Sequence, residues 1–250
     1  MQAALVRDVH TPEAIRHRLS ETKTPSHLRD FIYGAIDGTV TTFAVVAGVK
    51  GADLSATIVI ILGLANLIAD GFSMAVSNFL ATRAEMQEEE SARQDEEREI
   101  RDDPEGEREE IRQIFSRKGF TGSQLEEIVD TITADNKLWV DTMMVEELGY
   151  SPSETEPLHA ARATFVAFLV VGIIPLVAFL ADLWLPNGLE DPFLWSSLMT
   201  GVAFFTVGAL KSRFVAQRWW KAGAETLAMG GAAATLAYLI GALLKDLVGI

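Results

Sequence analysis

A chain of 250 residues with 49% hydrophobic and 22% charged content is ambiguous on totals alone, but its apolar residues are gathered in long blocks and its charges in others, which is the distribution of a membrane protein. A formal charge of −14 repels nucleic-acid phosphates and suits a chain that draws cations. The absence of cysteine excludes disulfides, thiolate metal sites and cysteine nucleophiles, so any metal must be held by oxygen, imidazole or thioether.

The first 30 residues hold no apolar run of signal-peptide type, because Arg7, Arg16, Arg18, Lys23 and Arg29 interrupt them. They are expected to form a cytosolic N-terminal segment. Thr11, Pro12 and Glu13 read as an N-cap, a first-turn proline and a dipole-favoured acid, so a short helix is predicted to begin there. The histidines are His10, His17, His27 and His159, none within an apolar block or the acidic stretch. That placement argues against a histidine-rich metal site.

Spanning a hydrocarbon core of roughly 30 Å takes about 20 mostly apolar helical residues. Five segments qualify: Phe31 to Val49, Leu54 to Leu80, Ala163 to Leu185, Phe193 to Leu210, and Ala222 to Leu244. Lys50, Gly51, Ala52 and Asp53 turn the first into the second, and Pro186, Asn187, Gly188, Asp191 and Pro192 separate the third from the fourth. The spacing of Gly34 and Gly38, and the run Gly230, Gly231, Ala232, Ala233, Ala234, permit close helix contact in lipid.

Between spans two and three lies a polar stretch that carries 23 of the 35 acidic residues. Its pattern predicts three helices: Ala84 to Ile100, a second after the break at Asp102, Asp103, Pro104 and Gly106 and ending at Lys118, and Ser123 to Leu148. Ser123 reads as the N-cap of the third, with Glu126 as its capping-box partner. Ile111, Ile114, Phe115, Leu125, Ile128, Val129, Ile132, Leu138 and Trp139 supply a candidate core.

The expected architecture is therefore all-α: a polytopic membrane protein with five transmembrane helices and a cytosolic three-helix insert between the second and third. The divisions are an N-terminal segment (1–30), helices 1–2 (31–82), an acidic metal-binding insert (83–158) and helices 3–5 (159–250). Of the 21 lysines and arginines only Lys50 and Lys245 fall outside the N-terminal segment, the stretch between the second and third spans (Arg83 to Arg162) and the Lys211 to Lys221 loop. By the positive-inside rule, the N-terminus and insert are cytosolic and the C-terminus is outside. With no targeting extension evident, a bacterial cytoplasmic membrane is the expected location.

An ionisable side chain in mid-membrane costs several kcal/mol and is a functional candidate by default. Asp37 lies within the first span and Asp70 within the second, with Asp30 at the cytosolic mouth. Asn66 and Met74 flank Asp70 at i−4 and i+4, on one helical face. Carboxylate, amide and thioether together suit a first-row transition metal better than Mg²⁺ or Ca²⁺. The bland alternatives are a hydrogen-bonded aspartate at a helix contact and a packing methionine. In the insert, Glu96 with Glu99 and Glu107 with Glu110 are spaced to share a cation on one helix face, and Met143, Met144, Glu146 and Glu147 fall near the same end of a three-helix fold. A solvated acidic surface is the competing reading.

The sequence from Arg29 through Asp30, Phe31, Ile32, Tyr33, Gly34, Ala35, Ile36, Asp37 and Gly38 into Val40 to Gly48, with Ala69, Asp70, Gly71, Phe72, Ser73 and Met74, resembles the vacuolar iron transporter family, which includes the nodulin-like iron and manganese transporters. The resemblance runs from about residue 28 to the end. It implies a homodimer in the lipid bilayer that exchanges Fe(II) for protons along a pathway at the dimer interface. Fe(II), or Mn(II), is then a transported substrate, with no prosthetic group and no enzyme activity.

On that resemblance Asp30 and Asp37 are the entrance and pathway aspartates and Met74 the pathway methionine. Glu96, Glu99, Glu107, Glu110, Met143, Met144 and Glu147 match the family's metal-capturing glutamates and methionines. Asn66 stands where members often carry an acid, and Ser77 and Asn78 where they carry glycine and glutamate. Asn66 takes up no proton, so the proton stoichiometry is open. Two further readings of the insert are a membrane-anchored di-iron ferroxidase, disfavoured by the lack of histidine before His159, and a regulatory cation sensor.

The topology is checked by single cysteines, which the native chain lacks. In right-side-out vesicles an impermeant maleimide is expected to label Asn187→Cys and to leave Thr22→Cys and Ser116→Cys unlabelled. Labelling of Thr22→Cys and Ser116→Cys on opposite sides contradicts the arrangement.

Overall fold

The structure, a computed structural model, describes residues 11–20, 27–150, 156–185 and 188–249. Among these it is all-helical: α1 (Pro12–Ser20), α2 (Leu28–Gly51), α3 (Ala56–Asp102), α4 (Pro104–Arg117), α5 (Gly122–Thr133), α6 (Asn136–Glu146), α7 (Pro157–Gly172), α8 (Ile174–Asp182), α9 (Pro192–Lys211) and α10 (Trp219–Val248). α1 begins where the sequence places it, with Thr11 Oγ1 accepting from the Ala14 amide at 3.3 Å. Of the break between the third and fourth spans, Pro186 and Asn187 lie outside the described residues, while Asp191 caps α9 through the Phe193 and Leu194 amides, 3.1 Å each.

α2, α3, α9 and α10 are long and apolar enough to cross a membrane, and the bent pair α7 and α8 makes a fifth crossing if counted as one. That third span is not one straight helix. α7 ends at Gly172 and α8 sets off at 43° to it, with Pro175 in its first turn. Proline withholds the N–H that the preceding turn needs and its ring crowds that turn's carbonyl, so the helix breaks there.

α3 departs from expectation in the other direction. It runs unbroken for 47 residues, about 70 Å, so the second span and the first insert helix are one element. The chain turns from apolar to acidic near Arg83 without meeting glycine or proline, and Glu, Gln, Arg and Ala all favour helix. It ends at Asp103, whose carboxylate accepts from the Gly106 amide at 3.1 Å and caps α4.

The rest of the insert differs from the expected pattern at two points. The third predicted helix is two, α5 and α6, separated at Ala134 and Asp135. Asp135 caps α6, its Oδ1 accepting from the amides of Lys137 at 2.9 Å and Leu138 at 3.1 Å. Nor is Ser123 an N-cap: Thr121 occupies that position, and Glu126 turns away to the Arg112 guanidinium at 2.9 Å. The insert core joins Ile100, Ile111, Leu125, Val129, Ile132, Trp139, Val140, Met143 and Met144. Leu138, expected in it, is 44% exposed, because Trp139, Val140, Met143 and Met144 form the inward face of α6 and Leu138 lies off that face.

In the apolar bundle α2 is central and packs most extensively on α7 and then α10. Its approach to α7 depends on Gly34 and Gly38. A Cβ at Gly38 would lie 2.6 Å from the Phe168 carbonyl oxygen, and one at Gly34 would meet the Thr164 carbonyl even more closely. Lipid tails supply no hydrophobic drive between helices, so such close backbone contact is where association gains its dispersion energy. Gly231, by contrast, faces open space. Gly38→Ala is expected to destabilise the detergent-solubilised protein by about 1–3 kcal/mol, read as a lowered Tm, while Gly231→Ala leaves it unchanged; equal behaviour of the two would contradict this packing.

Candidate functional site

α2, α3 and α7 enclose a cleft of about 730 Å³ whose walls include Asp30, Tyr33, Asp37, Met74, Asn78 and Thr164. Asp30 and Asp37 stand two helical turns apart on α2, about 10 Å along the axis. Both are half-buried. Asp30 is fixed from two sides: the Asn78 amide donates to its Oδ1 at 3.1 Å, and His27 Nδ1 lies 3.5 Å from its Oδ2. Asn78 also donates to the Thr164 hydroxyl at 2.7 Å, tying α3 to α7 at the mouth. Opposite Asp37, Met74 brings the only thioether among the lining residues.

Asp70 and Asn66 do not line the cleft. They continue its α3 wall at one-turn intervals beyond Met74, and Asp70 lies within electrostatic reach of Asp37. Asn66 Nδ2 is buried with no hydrogen-bond partner. The sequence-predicted set is thus brought together in part: Asp30, Asp37 and Met74 share one cavity, with Asp70 and Asn66 behind.

The second site is in the insert. Glu96 on α3 and Glu107 on α4 are 3% and 7% exposed and close enough to share a hydrogen bond. Glu99, Glu110 and Glu147 raise the local negative potential further. Burial, then the Glu107 carboxyl beside it, pushes Glu96 up to about 8. Burial likewise raises Glu107 and Glu147. Oε1 of Glu96 and Oε2 of Glu107 are buried and receive no hydrogen bond from any backbone or basic group. As the side chains stand, no three His, Asp or Glu among the described residues converge tightly enough to grip one ion; the cluster gathers carboxyls without closing on a point.

Met143 and Met144 are buried in the core beneath. The Glu147 amide donates to the Met143 carbonyl at 3.0 Å, placing that carboxylate one turn past the methionine. Glu146 points elsewhere and pairs with Lys118. Around the cluster, Arg93 meets Asp141 at 2.8 Å, Arg112 bridges Glu109 and Glu126, and Arg108 pairs with Asp130. The guanidiniums therefore neutralise the outer acids and leave the inner ones uncompensated.

Sequence reasoning placed Asp30 at the mouth but missed the residues that hold it there. Asn78 continues the 66, 70, 74 series by one more turn and was legible on that ground, though its hydrogen bond to Asp30 was not. Thr164 and Tyr33 carried no local signal, since their roles arise from packing between elements. His27 and His159 approach to 5.9 Å between ring centroids beside Asp30, although neither lies in an apolar block of the sequence.

The VIT family model matches residues 28–242. The vacuolar iron transporter of Toxoplasma gondii is 36% identical over 240 residues, covering 93% of this chain and 80% of that protein. That of Plasmodium falciparum is 30% identical over 238 residues, 92% of this chain and 87% of its own. Vacuolar iron transporter 1 of Arabidopsis thaliana is 29% identical over 214 residues, with 85% and 84% covered.

The buried carboxyls make a pH prediction. A carboxyl whose folded value is raised stabilises the fold fully below its unfolded value and loses that contribution as pH climbs through the folded value. For Glu96 the window runs from about 4.5 to about 8. Hydrogen-exchange protection of α4 and α6 in the metal-free protein is expected to fall across that window. Glu96→Gln should flatten the fall, and an unchanged profile in that variant would contradict the assignment.

Proposed function

The chain belongs to the VIT family and is a membrane-embedded metal-ion transporter; from that premise we propose that it exports Fe(II) from the cytosol in exchange for protons, with the acidic insert gathering the metal. The observation that carries this reading is the union of Asp30, Asp37 and Met74 in one cleft at the end of the bundle from which the insert projects. The named relatives are iron transporters, which supports iron as cargo; Mn(II) accepts the same donors.

The proposed path begins at Glu96, Glu99, Glu107, Glu110 and Glu147, with the thioethers of Met143 and Met144 as softer donors. A cation entering here displaces the proton held between Glu96 and Glu107, and the buried oxygens that lack a donor gain one partner each. Released metal passes to Asp30, held ready by Asn78, and then to Asp37 and Met74. Asp37 holds either a cation or a proton. A proton arriving from the far side therefore ejects the metal, which is antiport. Asn66, unable to titrate, leaves Asp70 as the other acid available to this exchange.

A homodimer completes the arrangement. The cleft has walls from α2, α3 and α7 only, and α3 presents Ile68, Phe72, Val76 and Leu80 outward beside it. A second copy against this face supplies the missing wall. The N-terminus and insert are cytosolic in this reading, the basic residues at that end following the positive-inside rule, and the cytoplasmic membrane is the expected site; the word vacuolar in the relatives' names describes those proteins. The ferroxidase alternative finds no support, since the cluster offers no histidine and the named relatives are transporters.

In proteoliposomes with an imposed pH gradient, Asp37→Ala is expected to cut Fe(II) flux at least about tenfold, corresponding to ~1.4 kcal/mol or more, and to abolish its pH dependence. Unchanged pH-dependent flux would overturn the exchange at Asp37.

A further inference from the structure

Two adjoining cavities at the basic end of the bundle take no part in the metal path. One, of about 510 Å³, is lined by Leu28, Arg29, Tyr33, Arg213, Phe214 and Val215. The other, of about 610 Å³, is a trough along α9 that reaches from Trp195 to Leu210 and is apolar apart from the Thr206 hydroxyl and the Trp195 ring nitrogen. Leu28, Phe31 and Leu210 pack on one apolar cluster, so the basic mouth and the apolar trough meet within a helical turn. The trough follows about 22 Å of helix, more than one leaflet of a ~30 Å hydrocarbon core.

The two guanidiniums at the mouth are uncommitted. Arg29 lies over the Tyr33 ring at 5.5 Å, and among the described residues neither it nor Arg213 has a carboxylate at ion-pair distance. Nearby Lys211 does, with Glu225 at 4.0 Å. Exposed Phe214, Trp219 and Trp220 mark the same level as an aromatic interface belt.

We propose that Arg29 and Arg213 hold the phosphate of an anionic phospholipid whose acyl chain lies in the α9 trough. The charge of the mouth selects the anion, and the trough selects a ligand with an apolar tail. Free phosphate would satisfy the first and leave the second exposed. Tyr33 lines both this mouth and the metal cleft, so the lipid headgroup sits one side chain away from Asp30. The inference rests on the chain spanning a membrane, and not on which ion it carries.

The test uses the full chain in nanodiscs of equal phosphatidylcholine and phosphatidylglycerol, extracted in detergent and weighed by native mass spectrometry. Retained lipid is expected to be enriched in phosphatidylglycerol over the bulk ratio. Removing one guanidinium, as Arg29→Ala or Arg213→Ala, should lower that enrichment roughly fivefold, the factor that ~1 kcal/mol per basic residue gives. Val202→Trp, which fills the trough from a site 67% exposed, should lower total retention without touching the charges. Arg218→Ala, at the same end but outside both cavities, should change neither. Retention at the bulk ratio, enrichment that survives loss of both arginines, or displacement of the lipid by inorganic phosphate at constant ionic strength would overturn the proposal. So would cross-linking of Val202→Cys between two copies in the bilayer, which would put a second chain over the trough.

Discussion

A carboxyl group shut among apolar side chains must be matched by a proton or by a cation, because an unpaired buried charge costs too much to keep. This constraint governs both centres of the molecule. At Asp37 it applies within the bundle, where Met74 lines the same cleft and a second carboxyl, Asp70, lies within electrostatic reach. Glu96 meets it in the insert, where burial and the Glu107 carboxyl hold its proton up to about 8. The proposed exchange of metal for protons needs groups poised between those two partners, and the fold supplies one set in the apolar bundle and one in the insert.

The two sets are joined by α3. Met74 and Glu96 lie on the same uninterrupted helix, about 33 Å apart along its axis. The acidic cluster and the cleft are therefore held at a fixed separation by one helix. Asn78, one turn beyond Met74, holds Asp30 on α2 and Thr164 on α7 at once, so the mouth of the cleft is organised by the same helix. The third span bends by 43° near Pro175; Gly34 and Gly38 bring its first half close to α2, and Leu176 and Phe179 of its second half share a buried cluster with Phe43 and Val46 of α2.

Much of this was legible in the sequence because it is periodic or compositional. The apolar blocks, the Thr11 cap, the break at Pro104 and the acidic pairs on α3 and α4 are local signals, and the structure keeps them. The continuity of α3 was not legible from hydropathy, which changes abruptly at Arg83, although helix propensity does not change there at all. The division between α5 and α6 was written in Asp135 as a cap, but the apolar spacing carried across it and hid it. Pro175 lay inside an apolar run that its neighbours made look continuous. The Asp30, Asn78 and Thr164 cluster is a product of tertiary packing between residues 48 and 86 positions apart, and no local pattern announces it.

The central claim, that metal and proton compete for the same buried carboxyls, is tested most directly by counting protons released when Fe(II) binds the purified protein in weakly buffered detergent solution below pH 8. The account predicts stoichiometric release that fades as pH rises past about 8, where Glu96 has already ionised. Saturable Fe(II) binding with no proton release at any pH would contradict it.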